Sequence, residues 1–499
     1  MRSPTRTTRS STQLIYTELL LAALAYVLVQ SLIAPVLPEI QRDLHTTQSL
    51  VTWAFTGYLL SASVLTPILG RLGDRIGKDR VMPLVLVGLA VGLLISAVAP
   101  NIGVLLVGRV IQGAGGGIIP LAFGIIRDEF PRERVARAVS ILAALMGAFA
   151  GVGIALAGPL SDALGYRGLF WLPAIVVAAA AIASRFIIPP SPTRHPGRIS
   201  VTASVLLAAW LLALLLPLAE GPGWGWGSAR VIGLFAAAVV LAVVWGVVES
   251  RSESPVVDMK TMRLPAVWTT NVVSLLFGAG IYALVSFLPA FSETPASAGY
   301  GFGTDVTGAG LVLLPMTLAM FFVGLVVHRL MRAFGNKAVL VTGTAVTVAG
   351  FAILTFAHHH ESQVLIAMLV TGIGFGLAFA ATSAVIVDAV PAHQVGAASG
   401  MNVNIRNIGG SIGAALMSSI LAAHTLHSGL PTNSGYTYGF GAVGVASIIA
   451  VLAALLVPRH RTTGGGADDA PATPDEAGGT RTVTALSARP NHAAGSTRK

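Results

Sequence analysis

Cysteine is absent from all 499 residues, so the chain forms no disulfide, holds no metal through thiolate and carries no cysteine nucleophile. Charge is scarce as well: charged side chains make up 10% of the sequence, and lysine occurs only at positions 78, 260, 337 and 499. A soluble enzyme of this length would carry far more charge on its surface. No phosphate-binding P-loop is present, which excludes transport driven directly by ATP. No paired catalytic constellation and no metal-ligand spacing occur either, so no enzyme activity, cofactor or metal is expected.

What fills the chain instead is apolar: 54% of residues are hydrophobic and mean hydropathy is +0.78. Stretches near the twenty or so residues that a bilayer requires fall at about 14–37, 50–70, 81–99, 103–126, 137–160 and 168–188. They continue at about 201–219, 230–248, 268–291, 308–328, 338–357, 363–387, 398–423 and 438–457. The expectation is an all-α polytopic membrane protein with 14 transmembrane helices.

Basic residues crowd one set of loops and the tail, whereas the opposite loops hold only Arg42, Arg167 and Arg230. The positive-inside rule then puts both termini in the cytoplasm, and an even span count agrees. The net charge of +10 follows from that topology, so no nucleic-acid partner is called for. Arginine-over-lysine bias with abundant alanine and glycine hints at a bacterial plasma membrane. Residues 458–499, rich in Gly, Ala, Thr and Pro, read as a disordered cytoplasmic tail. The tryptophans fall mostly near span ends, as an aromatic belt would place them.

Two arginines sit deep in apolar, glycine-rich segments: Arg109 in LLVGRVIQGAGGG and Arg406 in SGMNVNIRNIGGSIG. Membrane-buried ions mark function unless a bundle supplies partners. Arg109 and Gln112 are three apart and share a helix face, while Gly113 and Gly117 form a small-residue stripe for close packing. Asn402 and Arg406 also share a face, with Asn404 adding polarity. Such residues line a cavity, or the asparagines glue helices together.

The loop GRLGDRIGKDR at Gly70–Arg80 resembles the signature loop of the major facilitator superfamily, G-x-L-x-D-R-x-G-[RK]-[RK]. Gly70, Leu72, Asp74, Arg75, Gly77 and Lys78 match, and Asp79 departs where a base is usual. LLVGRVIQGAGGG is similar to the family's fourth-span pattern L-x-x-x-R-x-x-Q-G-x-G. The fifth span partly matches the export-type pattern, with Gly158 and Pro159 in place but Asp162 and Ala163 where two glycines would stand. GLVVHRLMRAFGNKAVL echoes the signature loop in the second half.

This resemblance, covering nearly the whole chain to about 457, implies the drug:proton antiporter branch. It implies an N-terminal half at 14–188 after a short cytoplasmic segment 1–13, a linker with two additional helices at 189–267 and a C-terminal half at 268–457. It implies a conformational latch built from Gly70, Asp74, Arg75, Gly77 and Lys78 with Asp128 and Glu129 as partners. Arg109 and Gln112 would couple transport to protons, Gly158 and Pro159 would give an antiport-type helix bend, and Asn402, Asn404 and Arg406 would line or gate the path. A monomer exchanging protons for a small molecule is expected; an importer, a facilitator or a sensor derived from a transporter are the alternatives.

The family's acid in span one is missing, because Val29 stands there. Glu18 is the only acid in that span; it is either an interfacial residue or the proton carrier. His358, His359 and His360 with Glu361 fall in a short external loop, where solvation competes with metal binding.

Overall fold

The computed structural model describes residues 9–192, 200–252, 255, 257–391, 394–425 and 430–458. The tail beyond 458 and the first eight residues of the N-terminus lie outside the described residues. Within them the chain is helical, with short links and one isolated bridge between Thr425 and Pro431. In a bilayer core a backbone must satisfy its own hydrogen bonds, and helices do so locally.

The first half runs α1 (Arg9–Leu32), α2 (Leu37–Asp43), α3 (Gln48–Ile76), α4 (Lys78–Ala97), α5 (Ile102–Gln112), α6 (Ile118–Glu129) and α7 (Arg132–Ile187). Next come α8 (Val201–Trp224), α9 (Ala229–Arg251) and the one-turn α10 (Met259–Met262). The rest is α11 (Pro265–Glu293), α12 (Val306–Val312), α13 (Leu314–Phe334), α14 (Asn336–Phe356), α15 (Glu361–Ala389), α16 (Val395–Ala423) and α17 (Asn433–Leu456). Side chains of Thr47, Asn101, Ser200, Ser228, Asp305 and Thr432 cap six of these helices by accepting a backbone N–H in the first turn.

Among the described residues, 13 helices are long and apolar enough to cross a membrane. The fourteenth span is α16, which has the length, 29 residues, but is made too polar by Asn402, Asn404, Arg406 and Asn407.

Span four is not one regular helix. Gly113–Gly117 winds as a 3-10 segment between α5 and α6, and the absent side chains let it lie against Ser61, Ala62, Thr66 and Leu69 of α3. Spans five and six share α7, whose one non-helical residue is Gly165 (φ 66°, ψ 165°). Glu39 fixes that corner: its carboxylate accepts from the Tyr166 N–H at 3.1 Å and from the Ser161 hydroxyl.

Two loops repeat each other. α3 gives way to α4 through Gly77 (φ 106°), and α13 gives way to α14 through Gly335 (φ 83°). A single residue with positive φ turns the chain in each, which favours glycine. The faint echo between GRLGDRIGKDR and RLMRAFGNK is therefore a shared backbone turn.

The additional helices α8 and α9 pair through Trp210 and Trp245, whose rings lie 5.8 Å apart. These two tryptophans pack between helices. α8 is packed on α3 and α16 through Leu207, Leu211, Met401 and Ile408, so the pair buttresses the seam where those two helices meet.

Candidate functional site

α3 and α16 approach closely at one end of the bundle. A Cβ on Gly70 would run into the Gly396 carbonyl at its oxygen and carbon, and one on Gly396 would meet the Gly70 oxygen and the Asp74 carboxylate at 2.8 Å. Only glycine permits this contact. It brings Asp74, at the end of α3, to the first turn of α16, where its Oδ2 accepts the Ala397 N–H at 3.1 Å. That turn is the positive end of a long helix dipole.

Lys78 completes the arrangement. Fully buried, its Nζ lies 2.8 Å from Asp128 Oδ2 and 3.5 Å from Asp74 Oδ1. Room for its stem comes from Gly124, where a Cβ would press on Lys78 Cδ at 2.7 Å. Two carboxylates against one ammonium leave a surplus negative charge, and the N-terminus of α16 offsets it. The Lys78 N–H donates to Ser191 Oγ at 2.8 Å, and Ser191 N donates to Asp79 Oδ1 at 3.0 Å, which ties in the end of span six.

The expected latch residues thus converge, with one difference. Arg75 forms no salt bridge among the described residues; the cation that bridges the acids is Lys78, because Arg75 emerges half-exposed from the last turn of α3. Glu129 lies alongside and Asp128 is the bonded partner. The second half carries a related contact that sequence comparison missed: Asn336, next to Gly335, donates to Asp388 Oδ2 at 3.3 Å. An acid at the end of span twelve mirrors Asp128, with an amide in place of the ammonium.

If the Asp74–α16 contact is a latch, Asp74→Asn removes a charge-assisted hydrogen bond of about 1.5–3 kcal/mol. The expected outcome is a transport turnover lower by about tenfold with substrate affinity changed far less, read from initial rates and equilibrium binding. Unchanged turnover would remove the latch assignment.

Arg109 is wholly buried in α5. Its Nε donates to the Ala54 carbonyl at 2.7 Å and its Nη1 to Gln112 Oε1 at 2.6 Å, while Gln112 Nε2 donates to the Gly92 carbonyl and to Ser96 Oγ. The guanidinium lies over the Tyr58 ring, 4.3 Å from its centroid, and Nη2 has no protein partner. No carboxylate pairs with it among the described residues. Val29, at the family's acid position, is 1% exposed and packed in the core.

Glu18 lies near the start of the first span, Thr12–Leu32, and is enclosed by protein. It is 3% exposed inside α1, and neither carboxylate oxygen has a protein hydrogen-bond partner among the described residues. Position along the span suggested an end; packing of α1 against α7 and α6 encloses it.

Between the halves lies a small cavity lined by Ile119 and Phe123 of α6, Phe379, Ser383 and Ile386 of α15, and Ser399, Asn402, Val403 and Arg406 of α16. Its volume, about 10 Å³ for the centre of a water-sized sphere, admits about one water. The Arg406 guanidinium stacks on Phe379 at 4.5 Å. Asn402 serves in both proposed ways, lining the cavity while donating to Asn271 Oδ1 at 2.8 Å and Ser274 Oγ at 2.9 Å on α11. Asn404 is fully buried and outside the lining. Tyr282 joins the halves, accepting from Gln30 Nε2 and donating to Asn407 Oδ1.

Gly158 and Pro159 keep helical backbone angles within α7. His358 is not in the solvated loop: it turns inward, 3% exposed, with its ring nitrogens at the Leu354 carbonyl and Asn433 Oδ1, while His359 and His360 are exposed.

The model of the Major Facilitator Superfamily matches residues 19–295 and 270–490. The chain belongs to the major facilitator superfamily. This facilitator is 28% identical to the tetracenomycin C resistance and export protein of Streptomyces glaucescens, over 77% of this chain and 71% of that one. It is 30% identical to a cephamycin export protein of Amycolatopsis lactamdurans (93% and 97%) and 28% identical to a uridine/deoxyuridine transporter of Lactococcus lactis (89% and 94%). The crystal structure of the human organic anion transporter shares its fold, with a TM-score of 0.64 over 89% of this chain and 99% of that one at 15% identity. The chain is therefore a multi-pass membrane transporter and not an enzyme, and its helix count fits the fourteen-span drug:proton antiporter type.

Proposed function

We propose that this facilitator exports amphipathic small molecules in exchange for protons, by alternating access between two helical halves, as a monomer with both termini in the cytoplasm. The names of two relatives as export proteins support the direction, and the excess of base in one set of loops supports the orientation. The latch end then faces the cytoplasm. Asp74, Lys78 and Asp128 hold that end shut, and opening it separates Gly70 from Gly396 and Asp74 from α16. Arg109 and Gln112 hold α5 against α3 and α4.

The observation that carries proton coupling is Glu18: a buried carboxylate in span one with no ion pair and no hydrogen bond among the described residues. It supplies the exchangeable proton that Val29 cannot. Glu18→Gln keeps the volume and removes the titration. Transport driven by a pH gradient should fall by about tenfold or more while downhill exchange continues and its pH dependence flattens. A pH profile identical to that of the unmodified protein would remove Glu18 from the mechanism. The uridine/deoxyuridine relative favours a second reading, movement of a nutrient down its gradient, which the same variant tests because such a facilitator would be indifferent to it.

A further inference from the structure

We infer that the central cavity recognises an amphipathic organic monoanion, such as an aromatic carboxylate, and that Arg406 reads its charge; this deepens the transport reading and rests on it. The lining contains one cation and no acid, and the remaining residues are two serines, one asparagine and apolar or aromatic side chains. Asn402 has committed its amide N–H groups to Asn271 and Ser274. Arg406, by contrast, makes no hydrogen bond or ion pair with any described residue; its guanidinium lies on the face of Phe379. Stacking covers the face of a guanidinium and leaves its edge free, and that edge is a planar fork of N–H donors that fits a carboxylate through two parallel bonds.

The wider surroundings have the same sign. The ionisable groups close enough to act on Arg406 are the phenols of Tyr26 and Tyr282, and those acting on Arg109 are Tyr58 and Tyr26. One buried cation, Arg109, and one partly exposed cation, Arg406, therefore flank Tyr26, with no carboxylate acting on either among the described residues. Like charge in a medium of low dielectric is repelled strongly, so a cationic ligand is disfavoured here. An anion supplies the counter-charge absent among the described residues lining the cavity, and Ile119, Phe123 and Phe379 form the wall that its apolar body meets once the halves move apart.

Three probes of one shape test this on the purified full-length protein: 1-naphthylacetate, its neutral amide and 1-naphthylethylammonium, measured by equilibrium binding. The carboxylate should bind about tenfold tighter than the amide, the worth of a hydrogen bond to a charged group, and the ammonium most weakly. Arg406→Gln should remove the difference between carboxylate and amide, and Arg406→Lys should keep part of it. Equal binding of the three, no binding of any, or a preference that survives Arg406→Gln would overturn the inference. So would displacement of the carboxylate by phosphatidylglycerol, which would assign the site to a lipid headgroup. Should Arg406→Gln fail to fold, the ranking of probes on the unmodified protein still decides. Equilibrium binding needs no proton gradient and no direction, so failure of this inference leaves proton-driven export standing, and the reverse holds too.

Discussion

Replacing Arg109 by Ala reduces proton-driven transport by roughly 100-fold, the contribution expected of a group that governs a proton transfer, while the amount of protein in the membrane is unchanged. The two halves of that outcome have one origin. Arg109 is a buried cation with no acid beside it, so removing it lightens the cost of inserting α5 into hydrocarbon. What is lost is positional: the Ala54 carbonyl and Gln112 Oε1 no longer share a donor, and α5 is released from α3. Lysine does not repair this, because an ammonium on a flexible stem cannot reproduce two divergent bonds from one planar group while lying over Tyr58. Accumulation of fluorescent substrate in cells, with and without an uncoupler, reads the result. Normal pH-dependent transport in Arg109→Ala would contradict the assignment.

The second large effect is on stability. Lys78→Met leaves Asp74 and Asp128 buried together without their shared cation. Breaking a buried ion pair from one side costs about 3–5 kcal/mol, so the variant should melt at a clearly lower temperature in detergent and be made in smaller amounts. Adding Asp128→Asn to Lys78→Met should recover part of the loss, since one of the two stranded charges is then gone. An unchanged melting temperature for the single variant would show that solvent, not Lys78, balances the acids. Asp74→Asn alone differs in kind: Lys78 keeps Asp128, and the effect falls on turnover more than on stability.

Much of this architecture was legible because bilayer physics writes itself into sequence. Apolar runs gave the spans, and GRLGDRIGKDR pointed to residues that converge, because a positive-φ turn at Gly77 and a buried ion cluster leave few residue choices. Arg109 and Gln112 were joined correctly by helical spacing alone. The misses share a cause, since each depends on which neighbouring helix lies opposite. Lys78 rather than Arg75 bridges the acids because of where α6 crosses, and Glu18 is enclosed because α7 covers it. His358 is drawn inward by Asn433, 75 residues away. Tyr26, Tyr58 and Tyr282 were passed over, as an aromatic residue in an apolar run gives no sign that an arginine faces it. The pairing of Asn336 with Asp388 had a trace in sequence, a residue after the turning glycine and an acid at a span end 52 residues on, close to the 50 that separate Lys78 and Asp128.

The central claim is that substrate and proton movements are coupled in opposite directions through one closed-and-open cycle. Proteoliposomes holding the purified chain, given an imposed pH gradient and a fluorescent amphipathic substrate, measure this directly. The account predicts substrate accumulation against its own gradient as protons run down theirs, collapse on adding an uncoupler, and no accumulation with Glu18→Gln. Equilibration at the same rate with and without the pH gradient, unaffected by the uncoupler, would contradict it and leave a passive facilitator.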